Sequence, residues 1–344
     1  MSSKGTILVT GGAGYIGCHI CILLIQSGYV PVIIDDLSNA YSSAIKAVEV
    51  ICGCPVIFYQ NSITDILFVS DVINRHQIDA VIHLAAKKSV EESVLDPLLY
   101  FDSNVTGLIH LLRAMAKSEV KPIVYSSSAT VYAPNSQSGI YNESDPLEPI
   151  NPYGWTKFMG EKILQDMEQQ SLITPAILRY FNPVGAHESG LIGEHPKGKS
   201  NNLMPILAEV VTGQRKHLTI YGNDYDTIDG TAVRDFIHVM DVADAHVKAI
   251  DILLENKKSF TLNIGTGKGH SVKQIIDTYK RVNQIELATV MAGRRLGDAP
   301  NICANVDKAK QTMGWAATRD IDDMCRDLHK WVMGKAAREG IRNE

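Results

Sequence analysis

A glycine turn set between an apolar strand and an amphipathic helix constrains this chain more than any other feature. Thr10-Gly11-Gly12-Ala13-Gly14-Tyr15-Ile16-Gly17 follows the short run Ile7-Leu8-Val9 and opens a stretch, residues 14–28, with apolar positions at threes and fours. In a G-x-x-G-x-x-G turn the glycines Gly11, Gly14 and Gly17 let the backbone bend tightly and approach a pyrophosphate. The anion then sits at a helix N-terminus, where unpaired N–H groups and the helix dipole favour it. Strand, turn, helix and next strand follow in the order that dinucleotide binding needs.

The second strand ends in Asp35-Asp36, about twenty residues on, where a carboxylate can accept from the adenosine ribose hydroxyls. A 2′-phosphate there would meet like charge, and Leu37-Ser38-Asn39-Ala40 offers no arginine to receive it, so NAD is expected rather than NADP.

Five further runs resemble the first: Pro31-Val32-Ile33-Ile34, Val56-Ile57-Phe58-Tyr59, Ala80-Val81-Ile82-His83-Leu84, Pro122-Ile123-Val124-Tyr125 and Ala176-Ile177-Leu178-Arg179-Tyr180. Helical patterns fall between them at 65–76, 95–117 and 153–170. The alternation predicts an α/β fold, a doubly wound parallel (Rossmann) sheet with helices on both faces. From about residue 182 the chain turns rich in Gly, Asn, Pro and Asp, which predicts a smaller, loop-rich α/β substrate-binding domain. The expected division is 1–181 for the NAD-binding domain, with segments near 236–266 returning to it, and 182–344 for the substrate domain. Asp241 precedes an apolar-periodic run to Leu254, Ser271 is a candidate N-cap, and Asp320–Met333 carries Ile321, Met324, Leu328 and Trp331 at core spacing.

Charge excludes several function classes. Lys and Arg total 33 against 38 Asp and Glu, a formal net charge of -5 without a long basic run, so no nucleic-acid or membrane-surface partner is expected. No stretch reaches the ~18 apolar residues of a spanning helix, and no signal segment is visible at the start, so a cytoplasmic location is expected. Six cysteines are too sparse for a disulfide scaffold. Cys18 and Cys21 fall within an apolar helix pattern and are read as small buried residues, and no metal site is expected there or at Cys52/Cys54.

The fifth strand runs out into Ser126-Ser127-Ser128-Ala129-Thr130-Val131-Tyr132, and open parallel sheets bind ligands at strand C-termini. Beyond it, Asn151-Pro152-Tyr153-Gly154-Trp155-Thr156-Lys157 opens a helix, and the four-residue spacing puts Tyr153 and Lys157 on one face. A tyrosine with an acidity near ~10 is ionised to only about one part in a thousand at pH 7. A nearby ammonium and an oxidised nicotinamide would have to lower it by about three units, or ~4 kcal/mol, for Tyr153 to serve as a base. Ser128 would orient the reacting hydroxyl and share its proton as hydride leaves the same carbon. Ser128, Tyr153 and Lys157 are therefore the expected catalytic residues.

Together these segments resemble the extended short-chain dehydrogenase/reductase superfamily, and within it the UDP-glucose 4-epimerase family, over nearly the whole chain. The likeness extends to Arg179-Tyr180-Phe181-Asn182-Pro183, Asn201-Asn202-Leu203-Met204-Pro205, Tyr221-Gly222-Asn223-Asp224-Tyr225, Arg234-Asp235-Phe236-Ile237-His238-Val239 and Arg294-Arg295-Leu296-Gly297-Asp298. The resemblance implies NAD as cofactor, a UDP-sugar substrate, a homodimer, and reversible C4 epimerisation through a 4-keto sugar. It implies cofactor contacts at Gly11, Gly14, Tyr15, Ile16, Gly17, Asp35, Asp36, Asn39, Ser62, Ile63, Leu84, Ala85, Lys88, Asn104, Ser128, Tyr153, Lys157 and Phe181. For the substrate it implies Ser128, Thr130 and Tyr153 at the sugar, and Asn182, Asn202 and Leu203 at the phosphate and sugar region. It further implies Tyr221 at the uracil, Arg234 and Arg295 at the pyrophosphate, and Asp298 at the uridine ribose.

The chain departs from that pattern in places. Ser62 stands where an aspartate is usual, Lys87 replaces an apolar residue, Ser103 an asparagine, and Ile302 occupies a position whose size gates N-acetylated hexoses. Three alternatives remain at this stage: an epimerase for UDP-N-acetylhexosamines or UDP-uronates, a nucleotide-sugar dehydratase, and a non-catalytic NAD-binding protein. Dehydration wants a carboxylate pair directly after the Ser/Thr, where Ala129-Thr130 stand instead.

Overall fold

A computed structural model of the protein describes residues 3–134, 138–198, 202–295 and 298–339. Of the motif residues named above, Asn201, Leu296 and Gly297 lie outside the described residues. Seven strands form the main sheet: β1 (Thr6–Thr10), β2 (Val30–Asp35), β3 (Ile57–Gln60), β4 (Ala80–His83), β5 (Pro122–Ser128), β6 (Thr174–Tyr180) and β7 (Phe260–Ile264). Their order is β7-β6-β5-β4-β1-β2-β3, and every neighbouring pair is parallel. The chain therefore winds outward in both directions from β1 and β4, and the crevice above that switch point is where such sheets bind ligands.

Alternation along the strands divides the core. Ile7, Val9, Ile33, Ile82 and Val124 face one side, against helices Tyr15–Gln26, Ser42–Cys52 and Val239–Asn256. Leu8, Val32, Ile34, Val81 and Ile123 face the other, against Ile66–His76, Gly107–Lys117 and Pro152–Gln169. Both faces are thus covered, which is why the strands read as continuous apolar runs. Cys18 and Cys21 pack in the first of these cores.

A second core lies apart. Short strands including Asn182–Val184, Val233–His238 and Asn301–Ala304 combine with helices Leu203–Val211, Val272–Asn283 and Ile321–Glu339 to bury Leu207, Phe236, Ile275, Tyr279, Leu328 and Trp331. Ser271 caps its helix with a reciprocal Ser271/Gln274 box.

One expected element is corrected. The helical pattern over 95–117 is not one helix: Val90–Leu95 ends at Asp96, which caps Pro97–Tyr100, and a π-helical turn, Phe101–Thr106, precedes Gly107–Lys117. Asp96 as N-cap and Pro97 at N1 restart the helix, since Pro supplies no N–H to continue it. Helix Ser42–Cys52 has no counterpart among the expected elements. Its apolar stripe is thin, with Ile45 and Val48 buried and Val50 exposed.

Candidate active site

The glycine turn sits at the switch point. Gly11 has φ +74°, and a Cβ on it would stand 2.7 Å from the Ala85 backbone nitrogen, so the loops after β1 and β4 meet there without room for a side chain. A Cβ on Gly17 would lie 2.4 Å from the Gly11 carbonyl oxygen, so Gly17 lets the helix close onto the turn. Gly14 is the N-cap of Tyr15–Gln26 and no side chain caps that end, which leaves first-turn N–H groups directed at the crevice. Asp35, nearly buried, accepts from Ala13 N (3.0 Å) on one oxygen and from Leu37 N (2.8 Å) on the other. Each oxygen retains a lone pair for a ribose hydroxyl. An uncapped helix end, a glycine-lined approach and a carboxylate at the end of β2 fit a dinucleotide.

Segment 185–197 lies across this crevice, a feature that sequence reasoning missed. Gly185 O accepts from Tyr15 Oη (2.7 Å), Glu194 pairs with Lys88 (2.7 Å), and Lys197 donates its backbone N–H to Asn39 (3.0 Å) and its Nζ to Leu37 O (2.7 Å). His195 stacks on Tyr41 with ring centroids 4.3 Å apart. Lys88 and Asn39 are thus already committed to protein partners. Asn104 uses both ends of its amide on Lys87 backbone and also donates to Thr156, tying the loop after β4 to the helix that carries Tyr153. Ser62 bonds Thr64, Ile63 packs on Gly107, Leu84 and Ala85 pack on the two sheet cores, and Phe181 joins the cluster with Val131, Tyr132 and Ile302.

The structure brings Ser128, Tyr153 and Lys157 together. Asn151 caps helix Pro152–Gln169 by accepting from Gly154 N (2.8 Å), with Pro152 at N1. Two glycines set how closely this helix docks. A Cβ on Gly154 would fall 2.6 Å from the Thr130 carbonyl oxygen, and one on Gly160 would fall 2.1 Å from the Tyr125 hydroxyl. Lys157, buried, donates to Ser126 O at 2.7 Å and lies over the Tyr125 and Tyr153 rings at 5.3 and 5.9 Å. Ser128 Oγ accepts from Thr130 N (3.2 Å) and Thr130 Oγ1 (3.0 Å), leaving its own proton free to donate.

Burial pushes Tyr153 up to about 12, opposed only by the Ser128 hydroxyl, and pushes Lys157 down to about 7, opposed by the Glu161 carboxylate. Among the protein's groups only the Ser128 hydroxyl opposes burial at Tyr153, so the lowered tyrosine pKa expected from the sequence is not reached by these groups alone.

Behind this centre lies a buried polar network that sequence reasoning also missed. Glu161, one turn beyond Lys157, accepts from Ser127 Oγ (2.5 Å) and from Arg179 at Nε (2.9 Å) and Nη2 (2.7 Å). Arg179 continues to Tyr132 Oη (3.0 Å) and Glu143 O (3.1 Å), and Tyr132 donates to Asn263 (2.5 Å). The available signal was an arginine inside the apolar run of β6 and a glutamate on the buried stripe of a helix; a buried charge needs a partner.

In the second half, Arg234 is ion-paired with Asp298 and also donates to Val233 O (2.7 Å). The two residues expected at pyrophosphate and ribose face each other directly. Arg295 lies over the Tyr221 ring at 4.0 Å, while Arg294 pairs with Asp224 and covers Tyr225. Asn202 is the N-cap of Leu203–Val211 but makes no capping bond, so its amide and the first N–H groups, Leu203 included, are available to an anion. Asn182 begins the strand paired with Phe236, and Ile302 pairs in register with Arg234.

A glycine turn at the switch point, with a serine, a tyrosine and a lysine converging beside it, defines a nicotinamide-dependent enzyme of the short-chain dehydrogenase type. More specifically, the chain belongs to the NAD dependent epimerase/dehydratase family, whose profile matches residues 7–265. It is 47% identical over 326 residues to UDP-glucose 4-epimerase of Bacillus subtilis, covering 94% of this chain and 96% of that one. With UDP-glucose 4-epimerase of Dictyostelium discoideum it is 46% identical over 327 residues, covering 94% and 95%. Among solved structures, UDP-glucose-4-epimerase from Stenotrophomonas maltophila, with bound NAD and formylated UDP-arabinopyranose, matches with a TM-score of 0.95 at 43% identity, covering 97% and 100% of the two chains. The enzyme from Bifidobacterium longum, in complex with NAD+ and UDP, matches with a TM-score of 0.90 at 42% identity, covering 96% and 98%.

Proposed function

We propose that this protein is an NAD-dependent isomerase that interconverts UDP-glucose and UDP-galactose at C4 of the hexose, a step of galactose metabolism. The observation that carries the reading is the convergence of Ser128, Tyr153 and Lys157 beside the dinucleotide turn, in a chain similar along almost its whole length to UDP-glucose 4-epimerases.

Tyr153 takes the C4 hydroxyl proton, and Ser128, whose oxygen already accepts two bonds from Thr130, donates to the same reacting oxygen and fixes its direction. NAD, held by the glycine turn, Asp35 and the neighbouring residues, supplies when bound a hydride acceptor and a positive charge. Lys157 adds a second positive charge under the phenol, so that an anion at Tyr153 is stabilised in a site where burial otherwise opposes it. The 4-keto sugar that results turns, takes back the hydride at C4 on its other face, and receives the proton at its C4 oxygen from Tyr153.

Turning requires a loosely held hexose on a firmly held UDP. Arg234 and Arg295 grip the pyrophosphate, Asn182, Asn202 and Leu203 line the phosphate and sugar region, Tyr221 meets the uracil and Asp298 the ribose. Charge-assisted bonds worth about 1.5–3 kcal/mol each retain the nucleotide without a basic surface. To bind it, Arg234 exchanges part of its pairing with Asp298, and Arg295 leaves the face of Tyr221. Ala129-Thr130 supply no acid beyond Ser128 to expel a C6 hydroxyl, which disfavours dehydration.

The protein acts as a cytoplasmic homodimer in this reading. Leu95 (80% exposed), Leu98 (77%), Trp155 and Met159 present apolar surface on helices Val90–Leu95, Pro97–Tyr100 and Pro152–Gln169, and a second copy would cover it. Among the described residues no helix is long and apolar enough to cross a membrane. Product analysis with UDP-galactose, UDP-N-acetylglucosamine and UDP-glucuronate tests the reading. Efficient conversion of UDP-galactose to UDP-glucose supports it, and turnover of only one of the other two contradicts it.

A further inference from the structure

The carboxylate of Glu161 binds two neighbouring strands behind the catalytic centre. Glu161 and Arg179 are 0% and 2% exposed, and their two-pronged ion pair spans from helix Pro152–Gln169 to β6. Ser127 and Arg179 are direct cross-strand partners on β5 and β6, so one carboxylate is clasped by both strands at once. One turn earlier on the same helix, Lys157 is fastened to β5 through Ser126 O, the residue before Ser127. The helix is thus pinned at two successive turns to the segment that ends in Ser128. A buried ion pair is weak as a stabilising device, because apolar residues of the same volume serve at least as well. Its placement here needs another reason.

We propose that Glu161 and Arg179 are positioning residues for the catalytic centre, which hold Lys157 in place on Ser126 and keep its ammonium charged so that Tyr153 can work as a base.

The surroundings of Lys157 support this. On its own helix it faces Tyr153 and Glu161; on β5, Tyr125 and the Ser126 carbonyl; on β4, His83, whose protonation Lys157 itself opposes. The loop after β4 reaches the helix through Asn104 and Thr156, which carry no charge, and β6 contributes Arg179, through Glu161, and the buried Tyr180, which lies beside Tyr125 and Tyr153 and is bonded to His246. Among the described residues Glu161 is the one group resolved as favouring the charged lysine, against a burial that drives the proton off. Arg179 in turn holds the Glu161 carboxylate on two bonds and is itself fixed to Tyr132 and the Glu143 carbonyl. A neutral Lys157 would leave the phenol with Ser128 alone among the protein's groups.

The inference rests on the epimerase reading for the role of Tyr153, and its test separates the two. Holoenzyme carrying Glu161→Gln is compared with the parent in two ways: the pH dependence of kcat and KM with UDP-galactose, and a near-ultraviolet difference titration against the matching Tyr153→Phe protein, which reads the phenolate without turnover. The expected result is a smaller phenolate signal at matched pH and a kcat roughly tenfold lower near neutrality, with KM within about threefold. The alkaline fall in kcat should move about one pH unit lower, because the lysine loses its proton earlier. An unchanged signal with a parallel pH profile overturns the proposal, as does a larger signal, which would mean that Glu161 acts on Tyr153 by its own charge. If Glu161→Gln does not accumulate as holoenzyme, Glu161→Gln/Arg179→Gln, which leaves no lone buried charge, is read in the same way. Arg179→Lys keeps a cation on Glu161 but loses the two-pronged grip and the bonds to Tyr132 and Glu143, so its kcat and pH profile should fall between those of the parent and Glu161→Gln; a profile identical to the parent's overturns Arg179's part in the assignment. A parent protein with no epimerase activity defeats the functional reading alone, and the phenolate titration still decides the inference.

Discussion

Lys157 Nζ donates to the Ser126 carbonyl oxygen at 2.7 Å, binding the helix that carries Tyr153 to the strand that carries Ser128. The bond places an ammonium where water does not reach it, and burial lowers its proton affinity from 10.5 to about 7. The sign of the stability effect follows. Below about pH 7 the lysine is protonated in both folded and unfolded protein, and folding bears the full desolvation penalty. Between about 7 and 10.5 the folded protein sheds the proton that the unfolded chain keeps, and the penalty declines; above that window it is gone. Lys157→Met should therefore abolish most turnover while raising thermal stability, by an amount on the order of a few kcal/mol on the acid side, with the gain shrinking as pH rises toward 10.5. Glu161 keeps Arg179 in this variant, so no lone charge is left. Thermal melts across that range check the sign.

Tyr153→Phe removes the proton acceptor and leaves the glycine turn, Asp35 and the second-half arginines untouched. NAD content and UDP affinity should stay within about twofold, while kcat falls by about 10²–10⁴, the usual worth of a positioned acid–base group. Calorimetric titration with UDP and a turnover assay separate the two. Near-normal kcat would remove Tyr153 from the mechanism.

Gly154→Ala tests whether close docking of the helix matters. The added methyl meets the Thr130 carbonyl oxygen at 2.6 Å, and backbone cannot step aside as a flexible side chain would. The helix start must lift from the Ser128–Thr130 segment. Expected are a stability loss of about 1–3 kcal/mol by overpacking and a larger fall in kcat than in UDP affinity. Denaturant melts and steady-state kinetics measure the two effects.

What the chain disclosed in advance follows local chemistry. Six of the seven main strands were legible because strands covered on both faces must be apolar throughout. The seventh, Phe260-Thr261-Leu262-Asn263-Ile264, is less so: Asn263 is buried to receive Tyr132 and to reach the Tyr141 carbonyl, a demand set by residues more than a hundred positions away. The π-helical turn Phe101–Thr106 has no local signal and places Asn104 against both Lys87 and Thr156. Ser128, Tyr153 and Lys157 could be found because a strand end and a four-residue helical spacing bring them near one another. The mutual pairing of Arg234 with Asp298, the cover of Tyr221 by Arg295 and the clasp of Glu161 are contacts between distant segments, and no spacing rule announces them.

Leu98→Glu places a carboxylate in the exposed apolar face formed with Leu95, Trp155 and Met159. A homodimer that covers this face should dissociate, because a charge buried without a partner is costly, while the exposed site leaves the monomer's fold intact. Sedimentation velocity should show a dimer for the parent and a monomer for the variant. A parent that sediments as a monomer would dispose of the dimer.

The most direct measurement follows the hydrogen on C4. UDP-galactose deuterated at C4 is incubated with the purified protein, without added reductant, and the product is examined by NMR. Hydride removed and returned within one closed site gives UDP-glucose that retains deuterium at C4 and takes up none from solvent. Loss of the label to water, or no UDP-glucose from protein with NAD demonstrably bound, would contradict C4 epimerisation by this chain.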